Sequence, residues 1–223
     1  MSLILNIETA TKNCSVSLAE NGKIIALKEV NDGGYSHAEN LHVFVQDVLK
    51  EVNMTLKNVD AVAVSKGPGS FTGLRIGVST VKGLCYALDI PLISTSTLQA
   101  LALQVTKEKG LVIPMLDARR MEVYSAVFNT DNSLVREIQA QVLDENSFAT
   151  YLENNDVYFI GDGVSKTKEI ITHKNAFFID DKLPSANEMA QLSFDKFQQK
   201  DFEDVAYFEP FYLKDFVTNA KKK

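Results

Sequence analysis

Cysteine and histidine are scarce in this chain of 223 residues, with 2 and 3 copies, and 23 basic side chains are outnumbered by 29 acidic ones. The formal net charge of -6 excludes a protein that grips nucleic acid alone through a broad basic surface. It leaves room for a subunit that hands that contact to a partner. Cys14 and Cys85 stand far apart and form no paired-cysteine motif, which predicts reduced thiols and an intracellular protein. The N-terminal run Met1 to Glu8 has no basic residue and is too short for a signal or membrane helix, so it reads as a buried strand. His37 and His42 are five residues apart, about 140° around a helix, and cannot share one metal ion. His173 is isolated, near the predicted end of a helix where a cation suits the dipole. No His-Glu-x-x-His and no Gly-x-Ser-x-Gly elbow occurs, so metalloprotease and serine hydrolase chemistry lack their residues. Cys14, in a predicted strand, and Cys85, on an apolar helix stripe, read as small buried hydrophobes.

What remains is an ordinary globular composition, 45% hydrophobic and 23% charged, long enough for one large or two small lobes. Strands are predicted at Leu3 to Ile7, Cys14 to Ala19 and Lys23 to Val30, with Asn21-Gly22 as the hairpin turn. Ser36 and Glu39 match a capping box opening a helix whose apolar stripe is Leu41, Val45, Val48 and Val52. A strand at Val59 to Val64, a helix to about Leu88, a strand at Pro91 to Ser94 and a helix at Thr97 to Thr106 follow. The order then begins again. Strands fall at Leu111 to Leu116, Met121 to Phe128 and Leu134 to Val142, and then a helix at Glu145 to Glu153. A strand at Val157 to Ile160, a helix at Val164 to His173, a strand at Ala176 to Ile179 and a helix at Ala186 to Gln199, capped by Ser185, complete it. The expected fold is α/β, two lobes facing across a cleft, each a mixed sheet with packed helices. The lobes are 1–106 and 107–223, divided near Lys107 to Gly110, with the last segment free to pack back on the first lobe.

The run from Lys66 through Gly67, Pro68, Gly69, Ser70, Phe71, Thr72 and Gly73 to Gly77 joins a strand to a helix. A glycine-rich turn into a helix N-terminus suits an anion. Yet Thr72 replaces the second Walker A glycine, no Lys-Ser/Thr pair follows, and the third glycine comes one residue late for a dinucleotide fingerprint. Ser70 reads as the N-cap of the helix. Beyond it, Leu74, Val78, Val81, Cys85 and Leu88 form an apolar stripe. Gly73, Gly77, Thr80, Gly83 and Ala87 form a small-residue stripe that permits close approach of another helix, from this chain or from another.

The duplicated order resembles the actin, Hsp70 and sugar-kinase superfamily. Within it, the run Gly67 to Gly77 is similar to that of the TsaB family, also called YeaZ. So are the run Asp117 to Tyr124, the triplet Gly161-Asp162-Gly163 and the segment Glu209 to Lys214. The resemblance spans nearly the whole chain. It implies a non-catalytic cytoplasmic subunit in the making of threonylcarbamoyladenosine in tRNA. It also implies the paralogue TsaD as catalytic partner, a TsaE-type ATPase in the complex, indirect contact with tRNA, and a homodimer as an alternative state. The resemblance implies that TsaD holds its metal with two His separated by three intervening residues on a helix, a pair missing here. The resemblance further implies a partner surface on the two helices, at Leu41, Val45, Val48, Gly73, Leu74, Gly77, Thr80, Val81 and Gly83. No cofactor and no metal are expected. Weak ATP or ADP binding stays open, in a cleft lined by Glu8, Thr9, Thr11, Asp117, Arg119, Gly161 and Gly163. Glu8 stands where Asp is commoner, and Arg119 and Arg120 are bulky for a phosphate turn, though they could contact phosphate or a partner's acids. The tail Lys221 to Lys223 reads as solvated. The competing reading is an autonomous ATPase or small-molecule kinase of the same fold, resting on Glu8 and Asp117.

Overall fold

The computed structural model describes residues 2–31, 33 and 37–214, so Ser36 and the Lys221–Lys223 tail lie outside the described residues. Two five-stranded sheets repeat one topology. The first contains β1 (Leu3–Glu8), β2 (Cys14–Glu20), β3 (Lys23–Val30), β4 (Ala61–Ser65) and β5 (Leu92–Thr95), in the order β3-β2-β1-β4-β5. The second contains β6 (Leu111–Asp117), β7 (Glu122–Asn129), β8 (Leu134–Val142), β9 (Val157–Ile160) and β10 (Ala176–Ile179), in the order β8-β7-β6-β9-β10. In each, three antiparallel strands meander and two parallel strands extend the sheet. This is the duplicated α/β fold of the actin, Hsp70 and sugar-kinase type.

β1 and β4 are apolar almost throughout because both faces of the first sheet are covered. Leu3, Leu5, Ile7, Val62 and Val64 point toward α1 (His37–Glu51) and α2 (Phe71–Leu88). Ile4, Ala61, Ala63 and Ile93 point the other way, against α6 (Ala186–Gln199). The third helix of each half crosses over. α3 (Thr97–Ala102) packs Leu98, Leu101 and Ala102 on Val112, Ala126 and Ile160 of the second sheet, while α6 packs Ala186 and Met189 on the first. Beyond α6 the chain returns to the first lobe. Glu203 bridges Leu92, Lys82 Nζ donates to the carbonyls of Ala206 and Phe208, and the Phe211 N–H donates to the Lys66 carbonyl.

β3, β8, β9, β10 and α6 have the expected bounds, and Ser70, Ser96 and Ser185 cap α2, α3 and α6. Asn21 and Gly22 both have positive φ, as their hairpin turn requires. Three helices are shorter than predicted. Asp144 Oδ1 accepts from the Asn146 N–H and the Ser147 hydroxyl, and Phe148 is left-handed, so α4 is only Ala149–Leu152. α5 is Val164–Thr167, because the turn beyond it tightens, with Ile170 N–H bonded to the Thr167 carbonyl. α3 ends at Ala102 in a similar tight turn, Gln104 N–H to the Leu101 carbonyl.

Candidate functional site between the two sheets

The carboxyl ends of β1, β4 and β5 meet at one level. Glu8 lies beside Ser65, and Ser65 pairs with Thr95. Carboxyl ends of parallel strands are where α/β sheets take ligands. Glu8 is fully buried, and its Oε1 accepts from the Ala10 N–H at 2.6 Å and the Ser65 hydroxyl at 2.7 Å. Its Oε2, with Thr95 Oγ1 and Thr97 Oγ1, is buried without a hydrogen-bond partner. Burial pushes the Glu8 carboxyl up to about 7, against the opposing pull of its hydrogen bonds. Ser65, Thr95 and Thr97 were not singled out from the sequence. Their signal is a hydroxyl at or just past the last position of β4 and β5, in line with the acid ending β1.

The glycine-rich run closes over the turn after Glu8. A Cβ on Gly69 would stand 2.4 Å from the Ala10 carbonyl oxygen, on Gly73 2.1 Å from that of Thr9, and on Gly77 2.3 Å from Thr9 Oγ1. The Thr9 hydroxyl donates to the Gly73 carbonyl at 2.8 Å, and the Ser70 N–H donates to the Ala10 carbonyl at 2.7 Å. Thr9 and Thr11 are buried in consequence, and the Thr11 carbonyl lies 2.7 Å from His37 Nε2. His42 is exposed on another face of α1, as the spacing predicts.

This geometry corrects the expected partner surface residue by residue. Gly73 and Gly77 are filled by Thr9 of the same chain. Leu41, Val45, Val48, Leu74 and Val81 are core residues, each no more than 5% exposed. Their stripe faces the sheet they cover, because α1 and α2 have no other apolar face large enough to bury. Of the residues expected there, only half-buried Thr80 and exposed Gly83 reach the surface. On the same helices Val43 and Tyr86 are exposed as well.

In the second lobe a lysine occupies the corresponding turn. Lys166 Nζ contacts Asp117 Oδ1 at 2.5 Å and donates to the carbonyls of Arg120 and Glu122, each at 2.8 Å. Asp117 Oδ1 also accepts from the Arg119 N–H, and Asp162 Oδ1 accepts from the Asp117 N–H. Burial raises the Asp162 carboxyl, with Lys166 and Lys12 opposing. Glu122 pairs with Lys214 at the end of the returning segment. Gly161 and Gly163 face inward, where a Cβ would stand 2.2 Å from the Met115 carbonyl oxygen and 2.9 Å from Val123. These glycines serve close packing on β6. Sequence spacing carried no signal for Lys166, which becomes a partner of Asp117 only when α5 docks.

Comparison with known proteins places this arrangement. A family model described as TsaD, tRNA N6-adenosine threonylcarbamoyltransferase, matches residues 33–222. The chain is 30% identical over 98% of its length to the tRNA threonylcarbamoyladenosine biosynthesis protein TsaB of Escherichia coli, covering 97% of that protein. It is 31% identical to TsaB of Bacillus subtilis, with 98% of this chain and 96% of the relative covered.

The chain belongs to the TsaB (YeaZ) family.

A solved structure of YeaZ from Pseudomonas aeruginosa superposes with a TM-score of 0.79 at 27% identity, covering 96% of this chain and 100% of that one. A second, described as an uncharacterized protein with similarity to peptidase YEAZ from the same organism, gives 0.81 at 28% identity with the same coverage. The cysteines of this chain do not suit the nucleophile of a cysteine peptidase. Both cysteines are buried with their thiols pushed up to about 11, away from the thiolate a nucleophile needs. Membership ties the chain to threonylcarbamoyladenosine formation in tRNA. No helix among the described residues is long and apolar enough to cross a membrane.

Proposed function

We propose that this chain is the non-catalytic partner subunit of a TsaD-like threonylcarbamoyltransferase. It binds and activates that enzyme, in the cytoplasm, together with a TsaE-like ATPase. One observation carries the reading: Gly69, Gly73 and Gly77 seat α2 on Thr9 and Ala10 so closely that the first hairpin turn is packed with protein. A turn filled by its own chain is poorly suited to wrap a phosphate. Lys166, held by Asp117 and two carbonyls, occupies the second turn in the same manner. The docking face in this reading is the outer side of α1 and α2 around Val43, Thr80, Gly83 and Tyr86. It could equally join two copies of the chain, since a surface fitted to a paralogue often fits its own copy. In this reading the chain meets tRNA as part of the assembly and not alone. The chain needs no cofactor of its own, and any ATP or ADP binds it weakly.

The test is reconstitution from purified TsaD-, TsaE- and TsaC-type proteins, tRNA, threonine, bicarbonate and ATP. The expected outcome is modification that depends on this chain. Equal modification without it would refute the reading. A second reading, an autonomous ATPase or kinase, is favoured by the unpartnered Glu8 Oε2, Thr95 Oγ1 and Thr97 Oγ1. Calorimetry with ATP and magnesium decides it, and no heat at millimolar nucleotide removes it.

A further inference from the structure

Arg119 and Arg120 occupy the tip of the β6–β7 hairpin with φ of 69° and 51°. Two successive left-handed positions are where glycine or asparagine costs least. The β2–β3 hairpin of the same chain uses Asn21-Gly22 in such a place. Here the chain carries two long cationic side chains instead. Their backbone is anchored on both sides, by the Arg119 N–H to Asp117 and by the Arg120 carbonyl to Lys166. Both residues are exposed, and among the described residues neither guanidinium has an ion-pair or hydrogen-bond partner.

Lys166 pairs with Asp117, and Lys214 pairs with Glu122, so those carboxylates are compensated locally. Arg119 and Lys214 both act on the Tyr124 hydroxyl. Arg119 and Arg120 are therefore two adjacent cations left uncompensated at the hairpin tip.

We propose that Arg119 and Arg120 form a phosphodiester-binding tip by which this subunit touches the tRNA backbone directly. The proposal rests on the reading above for its choice of polyanion. Guanidinium forks match phosphate oxygens two at a time, and a rigid hairpin tip holds two forks in fixed relation. Such contacts position RNA without reading its sequence.

The test uses an unmodified tRNA transcript, titrated at several salt concentrations against the full chain alone and against the reconstituted assembly. The variant is the double replacement Arg119→Gly and Arg120→Gly, which suits the left-handed backbone while removing both cations. The expected result is tRNA affinity weaker by about tenfold at low salt and a log–log salt slope shallower by about two. The melting temperature should hold or rise, because glycine adopts these dihedrals freely. The pair Arg119→Lys and Arg120→Lys keeps the charges and should keep the slope. Unchanged affinity and slope in the glycine chain overturns the proposal, as does a wild-type chain that fails to bind the transcript both alone and assembled. A lower melting temperature with unchanged RNA binding makes the arginines a structural turn and overturns it. Loss of partner association with an unchanged slope assigns them to an acidic protein surface and overturns it too. These outcomes are read from RNA binding, whereas the proposed subunit role stands or falls on modification with and without the chain.

Discussion

Gly77 and Gly83 lie on one helix and were expected on one surface, yet they meet opposite environments. A Cβ at Gly77 would stand 2.3 Å from Thr9 Oγ1, whereas at Gly83 it would meet nothing within 4 Å. Gly77→Ala should therefore destabilise the chain by about 1–3 kcal/mol through overpacking. Gly83→Ala should stabilise it by about 1 kcal/mol through helix propensity. Urea midpoints of the two variants check both signs. Gly77→Arg, a far larger residue in the same place, should disrupt the lobe itself, seen as loss of folding by circular dichroism. Glu8 gives a pH dependence. Its folded value of about 7 lies above the ordinary carboxylate value of 4.5, so the folded state binds more protons between those pH values. Its ionisation then costs folding about 3 kcal/mol above pH 7, a cost that fades as pH falls toward 4.5. Glu8→Gln keeps an acceptor for Ala10 and Ser65 and removes the charge. It should raise stability at pH 8 and leave it nearly unchanged near pH 4.5, measured by denaturant unfolding across that range.

At the scale of elements, the best-read pieces carried two agreeing local signals. α2 and α6 combine a serine N-cap with a long apolar period, and the β2–β3 hairpin combines alternation with Asn21-Gly22. Misjudged elements had one signal and a competing turn. Asp144 and Ser147 wrap their own backbone where α4 was expected to begin. The seat of α6 depends on polar pairing that no local pattern announces. Asn6, in the middle of β1, is fully buried, with Ser193 of α6 donating to its Oδ1 at 2.6 Å. Ser17 donates to the Ala186 carbonyl at the start of the same helix. Ser193→Ala would strand the Asn6 oxygen in the core, and stability should fall by about 1–3 kcal/mol. Thermal unfolding followed by circular dichroism measures that loss.

For the whole molecule, the decisive fact is the exchange of third helices between halves. α6, late in the chain, covers Ile4, Ala61, Ala63 and Ile93 of the first sheet, and α3 covers Val112 and Ile160 of the second. A chain ending at Leu183 loses that cover and the Ser193 bond to Asn6. It should unfold without a cooperative transition and be cut rapidly within the first sheet, as limited proteolysis would show. A sharp melt of that fragment would mean the first lobe stands without α6. By itself, the amino-acid order determined the strands, the hairpin turn, the capped helices, the duplicated order and the family, because those signals lie within a few residues of one another. Only the tertiary structure decided which face each helix covers. It seated Gly73 and Gly77 on Thr9 rather than on a partner, and it brought Lys166 to Asp117. Those outcomes depend on residues distant in the chain, whose contact is created by packing and leaves no periodicity to read.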